Sequence, residues 1–115
     1  RDYSFIQYVY VTDVKGHSTA IAISDPGDQK GYKAFPIGFD YSNREWFQQP
    51  MRTGKLHIMN VHQSQVTGQL IITVSTVITD ANDEIIGVLG ADIQLEEIIR
   101  RAESLEAEVP NSEEE

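Results

Sequence analysis

The chain has 115 residues, of which 40% are hydrophobic and 23% charged, a balance typical of one globular domain and not of a disordered segment. It contains no cysteine, which excludes a disulfide framework and thiolate metal sites. The formal net charge is −9, and residues 96–115 hold eight glutamates against two arginines. A chain this acidic is repelled by nucleic acid and by anionic lipid, so neither is expected as a partner.

Two strands joined by a tight turn are predicted at the N-terminal end. Residues 5–12 are aromatic and β-branched, and residues 18–24 alternate in character, as strands do. Gly16 lies between them and is free to take the positive φ of a turn. Residues 25–40 contain two prolines and three glycines, which predicts a long loop, and such loops are often functional.

A short helix is predicted to begin at Ser42. Ser42 and Glu45 match a capping box, in which each side chain bonds the other residue's backbone amide. Tyr41 and Trp46 are spaced as a hydrophobic staple across that start. Pro50 lacks an N–H and is predicted to end or kink the helix.

The second half of the chain predicts a meander of three strands. The strands are expected over residues 56–62, 69–79 and 84–93. Turn-forming residues at 65–68 and 80–83 separate them, and such tight connections make neighbouring strands antiparallel. The last strand contains Gly87 and Gly90, which indicate a bulge or a close backbone contact.

The chain is predicted to end in a helix and a tail. Apolar residues recur at helical spacing over 94–107, and residues 108–115 form an acidic solvated tail or linker. The element order predicts an α+β fold: a five-stranded antiparallel sheet, with the loop and short helix over one face and the terminal helix beyond. Residues 1–107 are expected to form one domain. The pocket is expected between the sheet and the loop–helix segment.

Three segments, in order and spacing, resemble the Cache family of PAS-like sensor domains. They are YVYVTDVKG at 8–16, FDYSNREWF at 39–47, and the meander from QVTGQ to ADIQLEEI at 65–98. The resemblance covers residues 5–105. It implies a PAS-like fold and a small-molecule pocket.

The resemblance also implies a function. The chain would be the extracytoplasmic sensing domain of a transmembrane receptor in the cell membrane of a bacterium or archaeon. The output would be a histidine kinase, a chemotaxis transducer or a cyclic-nucleotide enzyme. Ligand binding would act through the terminal helix on a membrane helix, within a homodimer. No catalytic activity of the domain itself and no cofactor are expected.

The charged pocket residues implied by the resemblance lie in the short helix and the last strand. Arg44 and Trp46 would hold a ligand carboxylate, and Asp92 would hold a ligand amine. A guanidinium suits a carboxylate, because its planar fork of donors matches the two oxygens. The alternatives are a surface arginine, a core tryptophan, and an aspartate that caps the terminal helix.

Three further pocket positions carry a residue other than the tyrosine usual in amino-acid-binding relatives. They are Phe39, Phe47 and His62. Their missing hydroxyls widen the expected ligand to a small carboxylate, an amine or an amino-acid-like compound. Phe47 also fits a core position, and a lone histidine such as His62 is often a hydrogen-bonded structural residue.

Two other functions compete with ligand sensing. A ligand-free structural or dimerisation module of the same fold predicts that Arg44 pairs with a protein carboxylate and that no pocket exists. A small hydrolase would use His62 with Asp92, but the sequence offers no nucleophile beside a positioned base. No His, Asp and Glu residues have the spacing of a metal site, so no metal is expected.

Overall fold

The computed structural model describes residues 6–23, 33, 36–64 and 67–108, with the side chains of 107 and 108 left out. Its strands and helices have bounds close to those predicted. They are β1 Ile6–Thr12, β2 Ser18–Ile23, α1 Glu45–Thr53, β3 His57–Ile58, β4 His62–Gln63, β5 Leu70–Thr79, β6 Ile85–Gln94 and α2 Leu95–Glu108.

The strands form one antiparallel sheet with β6 in the middle. The order is β2-β1-β6-β5-β3, and β4 also pairs with β5. The predicted α+β fold with an antiparallel sheet is therefore confirmed. The sheet has six strands and not five, because two short strands, β3 and β4, both pair with β5. The predicted meander is also present, since β3 and β4, then β5, then β6 pair in chain order.

The prediction of one strand over 56–62 is wrong, because the chain leaves the sheet in the middle of that segment. The Met59 amide still donates to the Thr73 carbonyl at 2.8 Å, which continues the β3 ladder. The His62 ring then bonds the Asn60 carbonyl at 2.7 Å, and this local contact closes the excursion. The apolar pattern of the segment does not reveal this break.

One face of the sheet carries aromatic and polar side chains and is covered by α1. Paired residues of antiparallel strands share a face. Tyr8 and Thr73 therefore flank Asp92, while Tyr10 and Ser75 flank Gly90 in the next row. The buried core on this face consists of Tyr8, Tyr10, Tyr41, Trp46, Phe47 and Val88.

The capping-box prediction is wrong, because the N-cap of α1 lies two residues later than the predicted Ser42. Its N-cap is Arg44, which makes no side-chain cap bond. The Ser42 amide instead donates to the Asp40 carboxylate at 2.8 Å, and the Glu45 carboxylate accepts from the His57 ring at 2.7 Å. Both partners of the expected box are thus engaged elsewhere.

Pro50 does not end the helix, which continues to Thr53 and ends at Gly54 in the left-handed region with φ 72°. A proline removes the helical hydrogen bond to the carbonyl four residues before it. That carbonyl belongs to Trp46, and it accepts a bond from the Ser75 hydroxyl at 2.7 Å. The missing helical bond is thus replaced by one that fastens α1 to β5.

Both glycines of β6 lie against neighbouring groups, as predicted. A β-carbon at Gly87 would overlap the Thr12 carbonyl, and the pairing of β5 with β6 shifts register at this point. A β-carbon at Gly90 would lie 2.5 Å from the Tyr10 ring and 3.2 Å from the Trp46 ring. The absent side chain at position 90 therefore lets both rings rest on the strand.

Two predicted segments lie wholly or mainly outside the described residues. Of the loop over 25–40, the structure describes Lys33 and residues 36–40, which contain an isolated bridge between His17 and Asp40. Of the tail over 108–115, only residue 108 is described, as the end of α2. In the part of the chain that is described, no helix is both long and apolar enough to cross a membrane.

The Trp46 carbonyl provides a test of how α1 is attached. Ser75→Ala should destabilise the domain by about 1–3 kcal/mol, because a buried carbonyl loses its donor. Pro50→Ala restores an N–H to the helix, so Ser75→Ala should be less costly in that background. A double-mutant cycle from urea denaturation measures this coupling. Strictly additive free energies would show that the proline and the hydroxyl act independently.

Candidate ligand-binding site

Asp92 is a buried carboxylate in the middle of the sheet. Its side chain is 6% exposed. Oδ1 accepts hydrogen bonds from the Tyr10 hydroxyl and from Thr73 Oγ1, the latter at 2.9 Å. Both of these bonds, which come from described residues, are made to Oδ1 and not to Oδ2.

Two opposing effects act on the charge of Asp92. Burial raises the pKa of Asp92, while the bonds from Tyr10 and Thr73 and the charge of His62 lower it. The pKa of Tyr10 is raised well above its usual value, first by burial and then by the nearby Asp92 charge. Tyr10 therefore stays protonated and remains a donor to the carboxylate.

His62 connects to the same network from the edge of the sheet. Its Nδ1 lies 2.7 Å from the Asn60 carbonyl, and its Nε2 lies 3.3 Å from Thr73 Oγ1. The imidazole is thus linked to Asp92 through a single threonine hydroxyl.

An aromatic cluster lies beside Asp92 beneath α1. Trp46 is 7% exposed, and its ring centroid lies 4.7 Å from that of Tyr10 and 5.2 Å from that of Tyr41. Phe39 packs on Tyr41 at 4.8 Å but remains 40% exposed. Phe47 is buried as a member of the core cluster.

Arg44 lies at the N-terminus of α1 and is half-buried. The central carbon of its guanidinium is 5.6 Å from the centre of the Tyr41 ring, within cation–π range. Within the described residues it forms no ion pair with a carboxylate. The neighbouring Glu45 is paired with His57 instead.

Tyr41 lies within electrostatic range of both charged residues. Its pKa is raised to about 12, mainly by burial; Arg44 opposes this rise and Asp92 adds to it. The charges of Arg44 and Asp92 thus shift the pKa of the Tyr41 hydroxyl in opposite directions.

The structure groups five of the six predicted residues around two intermediaries, while Phe47 belongs to the core cluster. Tyr41 contacts Arg44, Trp46 and Phe39, and Thr73 joins Asp92 to His62. The alternative role of Asp92 as a helix cap is wrong, because Asp92 lies inside β6 and α2 begins at Leu95.

Sequence reasoning did not identify Tyr10, Tyr41, Thr73 or His57 as neighbours of the site. The alternation along β1 was a usable signal for Tyr10, because Tyr8, Tyr10 and Thr12 all point to one face. Thr73 has no such signal, because its position next to Asp92 depends on strand register.

A separate cleft of about 110 Å³ lies where α2 leaves the sheet. None of the six predicted site residues lines it. Its lining is polar and includes two glutamates: Gln69, Leu70, Gln94, Glu96, Glu97 and Arg100. In the described ranges, no group of three or more His, Asp and Glu side chains is arranged to hold a metal ion.

The antiparallel sheet with its helices matches the fold of chemoreceptor ligand-binding domains. Residues 1–100 match the family described as methyl-accepting chemotaxis protein-like, first PDC sensor domain. The chain belongs to this family, and its function is the sensing of a small molecule. The predicted Cache identity is thereby confirmed.

Solved chemoreceptor domains share the fold. The sensory domain of the Campylobacter jejuni chemoreceptor Tlp3 with isoleucine bound is 25% identical, with a TM-score of 0.60, covering 91% of this chain and 38% of that one. The ligand-binding domain of the Pseudomonas aeruginosa amino acid chemoreceptor PctC in complex with GABA is 22% identical, with a TM-score of 0.61, covering 81% and 38%.

A curated relative is more similar in sequence but much longer. The protein named citrate (Re)-synthase from Syntrophus aciditrophicus is 41% identical over 103 residues. The match covers 90% of this chain and 16% of that protein. The chain therefore corresponds to a small part of that relative, and the match assigns no enzymatic function to this domain.

The buried charge of Asp92 should reduce the stability of the unliganded domain. Because burial raises its pKa above the usual 3.8, the ionised form is disfavoured by folding, and this penalty disappears as the pH falls through the raised pKa towards that value. Asp92→Asn keeps an acceptor for Tyr10 and Thr73 without the charge. It should raise the Tm at neutral pH, by roughly 4–8 °C per kcal/mol recovered.

Thermal unfolding from pH 7 down to pH 4 measures this effect. The advantage of Asp92→Asn should shrink as the pH falls. Glu96→Gln, which removes an exposed carboxylate from α2, is the control and should change the Tm little at any pH. A lower Tm for Asp92→Asn at pH 7 would mean that the charged carboxylate stabilises the fold.

Proposed function

We propose that this sensor domain binds a small carboxylate or amino-acid-like ligand between Arg44 and Asp92, on the aromatic face of the sheet. The proposal rests on the hydrogen bonds and ion pairs that these two side chains make within the domain. Among the described residues, the bonds to the buried Asp92 carboxylate reach Oδ1 alone, and Arg44 has no carboxylate partner.

The Arg44 side suits an anionic group. A guanidinium that is half-buried and held over a ring has lost part of its hydration, and a bidentate carboxylate restores those bonds. Charge-assisted hydrogen bonds of this kind contribute about 1.5–3 kcal/mol each. The pairing of Glu45 with His57 removes the nearest competing carboxylate along the chain.

The Asp92 side suits a cationic amine. A buried carboxylate is costly unless it is paired, and Tyr10 and Thr73 supply neutral donors to only one oxygen. An ammonium group at Oδ2 would offset the remaining charge. This pairing also accounts for retaining an acid where the strand is otherwise apolar.

The uncharged part of the ligand would lie against the aromatic rings of the site. Trp46 and Tyr10 stack close to the strand, and Phe39 and Phe47 present no hydroxyl to a ligand. We expect these residues to contact the uncharged part of the ligand through apolar surface. His62 completes the set of proposed site residues at the sheet edge.

The related domains support this ligand class. The two structures described above hold isoleucine and GABA, and each of these molecules carries one carboxylate and one amine. Both relatives are chemoreceptor domains, which also supports an extracytoplasmic position and a membrane-anchored parent protein. We propose that the domain acts in a homodimer, signals through α2, and catalyses no reaction itself.

A ligand-free structural module is the alternative, and it requires a protein partner for Arg44. The described residues offer Arg44 the Tyr41 ring and no carboxylate, which favours the sensing proposal. We also propose that the domain comprises residues 1–107 and that residues 108–115 form an acidic tail or linker.

A thermal-shift screen of the 115-residue chain tests the proposed ligand class. The probes are amino acids including isoleucine, 4-aminobutyrate, short carboxylates and amines. A probe at about 100 times its Kd should stabilise the domain by about 2.7 kcal/mol, which corresponds to roughly 4–8 °C. Arg44→Ala should abolish the shift and leave the unliganded Tm nearly unchanged.

Arg52→Ala is the matched control, because Arg52 is an exposed arginine in the last turn of the same helix. It should keep the full ligand shift. If Arg44→Ala instead unfolds the domain, or if both variants lose the shift equally, Arg44 has a structural role and the proposal is wrong.

A further inference from the structure

We infer that His62 is a positioning residue and not a ligand contact: through the Thr73 hydroxyl it holds the Asp92 carboxylate that receives the ligand's amine. The inference rests on the proposed function for the role of Asp92. It changes the part played by position 62, which the family resemblance places among the residues that contact ligand.

Both ring nitrogens of His62 already face a protein partner, so neither is left for a ligand. An imidazole has two nitrogens, and the Asn60 carbonyl lies 2.7 Å from Nδ1 while Thr73 Oγ1 lies 3.3 Å from Nε2. A ligand that bonded either nitrogen would have to displace one of these protein partners.

The second argument comes from counting protons along the chain of groups. The Asn60 carbonyl can only accept, so Nδ1 carries a hydrogen. The Thr73 hydroxyl has one hydrogen and lies between Nε2 and Asp92 Oδ1. When Thr73 donates to an ionised Asp92, its oxygen accepts from Nε2, which requires a protonated ring.

Two protonation states of this network therefore make all three hydrogen bonds, from Asn60 through His62 and Thr73 to Asp92. In one, His62 is an imidazolium and Asp92 is ionised. In the other, the proton is on Asp92, which donates to Thr73, and Thr73 donates to a neutral ring. The two states contain the same number of protons. A cationic amine at Oδ2 selects the first, so the ligand and the ring act on one carboxylate from opposite ends.

The other titratable groups around this chain do not replace His62. Tyr10 from β1 and Tyr41 from the segment before α1 both have raised pKa values and stay neutral. Arg44 acts on the Tyr41 hydroxyl, and His57 from β3 is paired with Glu45. His62 is the ionisable cation that lowers the pKa of Asp92 within the described part of the chain.

Titration of the Asp92 carboxyl carbon by NMR, on the 115-residue chain without ligand, tests the inference. Thr73→Val removes the bridging hydroxyl and should raise the Asp92 pKa, and Thr73→Ser should restore the original value. His62→Phe should also raise it, and by less in the Thr73→Val background. His57→Phe is the matched control on the same face and should leave the titration unchanged.

The inference is overturned if His62→Phe behaves like the His57→Phe control, or if Thr73→Ser fails to restore the titration. A purely structural role for His62 predicts a lower Tm with no specific movement of the Asp92 signal. The variants and the control are therefore compared at equal fractions folded.

Calorimetric titration with 4-aminobutyrate links the network to binding. His62→Phe should weaken binding more at pH 5 than at pH 8, because a carboxylate with a higher pKa is more protonated in acid. Equal weakening at both pH values would contradict the inference. If the unmodified chain does not bind this probe, the proposed ligand class fails for it, while the Asp92 titration still decides the role of His62.

Discussion

One ionisable carboxylate lies in the middle of the sheet and constrains the side chains around it. Burying Asp92 without partners would cost several kcal/mol, so its surroundings must supply donors. Tyr10 reaches it from β1, Thr73 reaches it from β5, and the missing side chain of Gly90 lets Tyr10 lie close to the strand. These contacts are made to Oδ1, and the proposed ligand amine would bind Oδ2. The same arrangement explains why the unliganded domain should be less stable than a neutral variant.

Strand register determines whether this arrangement forms. Continuing the pairing of Thr79 with Ile85 along β5 and β6 without interruption would place Ala91 opposite Thr73. The irregularity beside Ile78 shifts the pairing by one residue and brings Asp92 opposite Thr73 instead. The glycines of β6 predicted a bulge or a close backbone contact, but a sequence pattern does not specify by how much the register changes. The position of Thr73 opposite Asp92 therefore could not be predicted from the sequence, although both strands were predicted.

Local patterns predicted the elements well and their connections poorly. The long strands and α2 were expected within one or two residues, because alternation and helical spacing are local properties. The predicted start of α1 was wrong because Asp40 bonds the amide of Ser42. Of the predicted end or kink at Pro50, the end is wrong, because Ser75 supplies the bond that Pro50 cannot. Both errors arise from partners that the local pattern does not include. Ser75 is distant in the sequence, and Asp40 lies outside the expected motif. The six site residues came from a family resemblance, and their roles in binding stay predictions.

The most direct test of the central claim is a crystal structure of the domain with a ligand found by the thermal-shift screen. The measured quantity is the distance from the ligand's nitrogen to Asp92 Oδ2. The account predicts a direct hydrogen bond of about 2.7–3.2 Å, with the ligand's carboxylate on the Arg44 guanidinium. A ligand that leaves Oδ2 unbonded, or one that occupies the polar cleft beside α2, would contradict it.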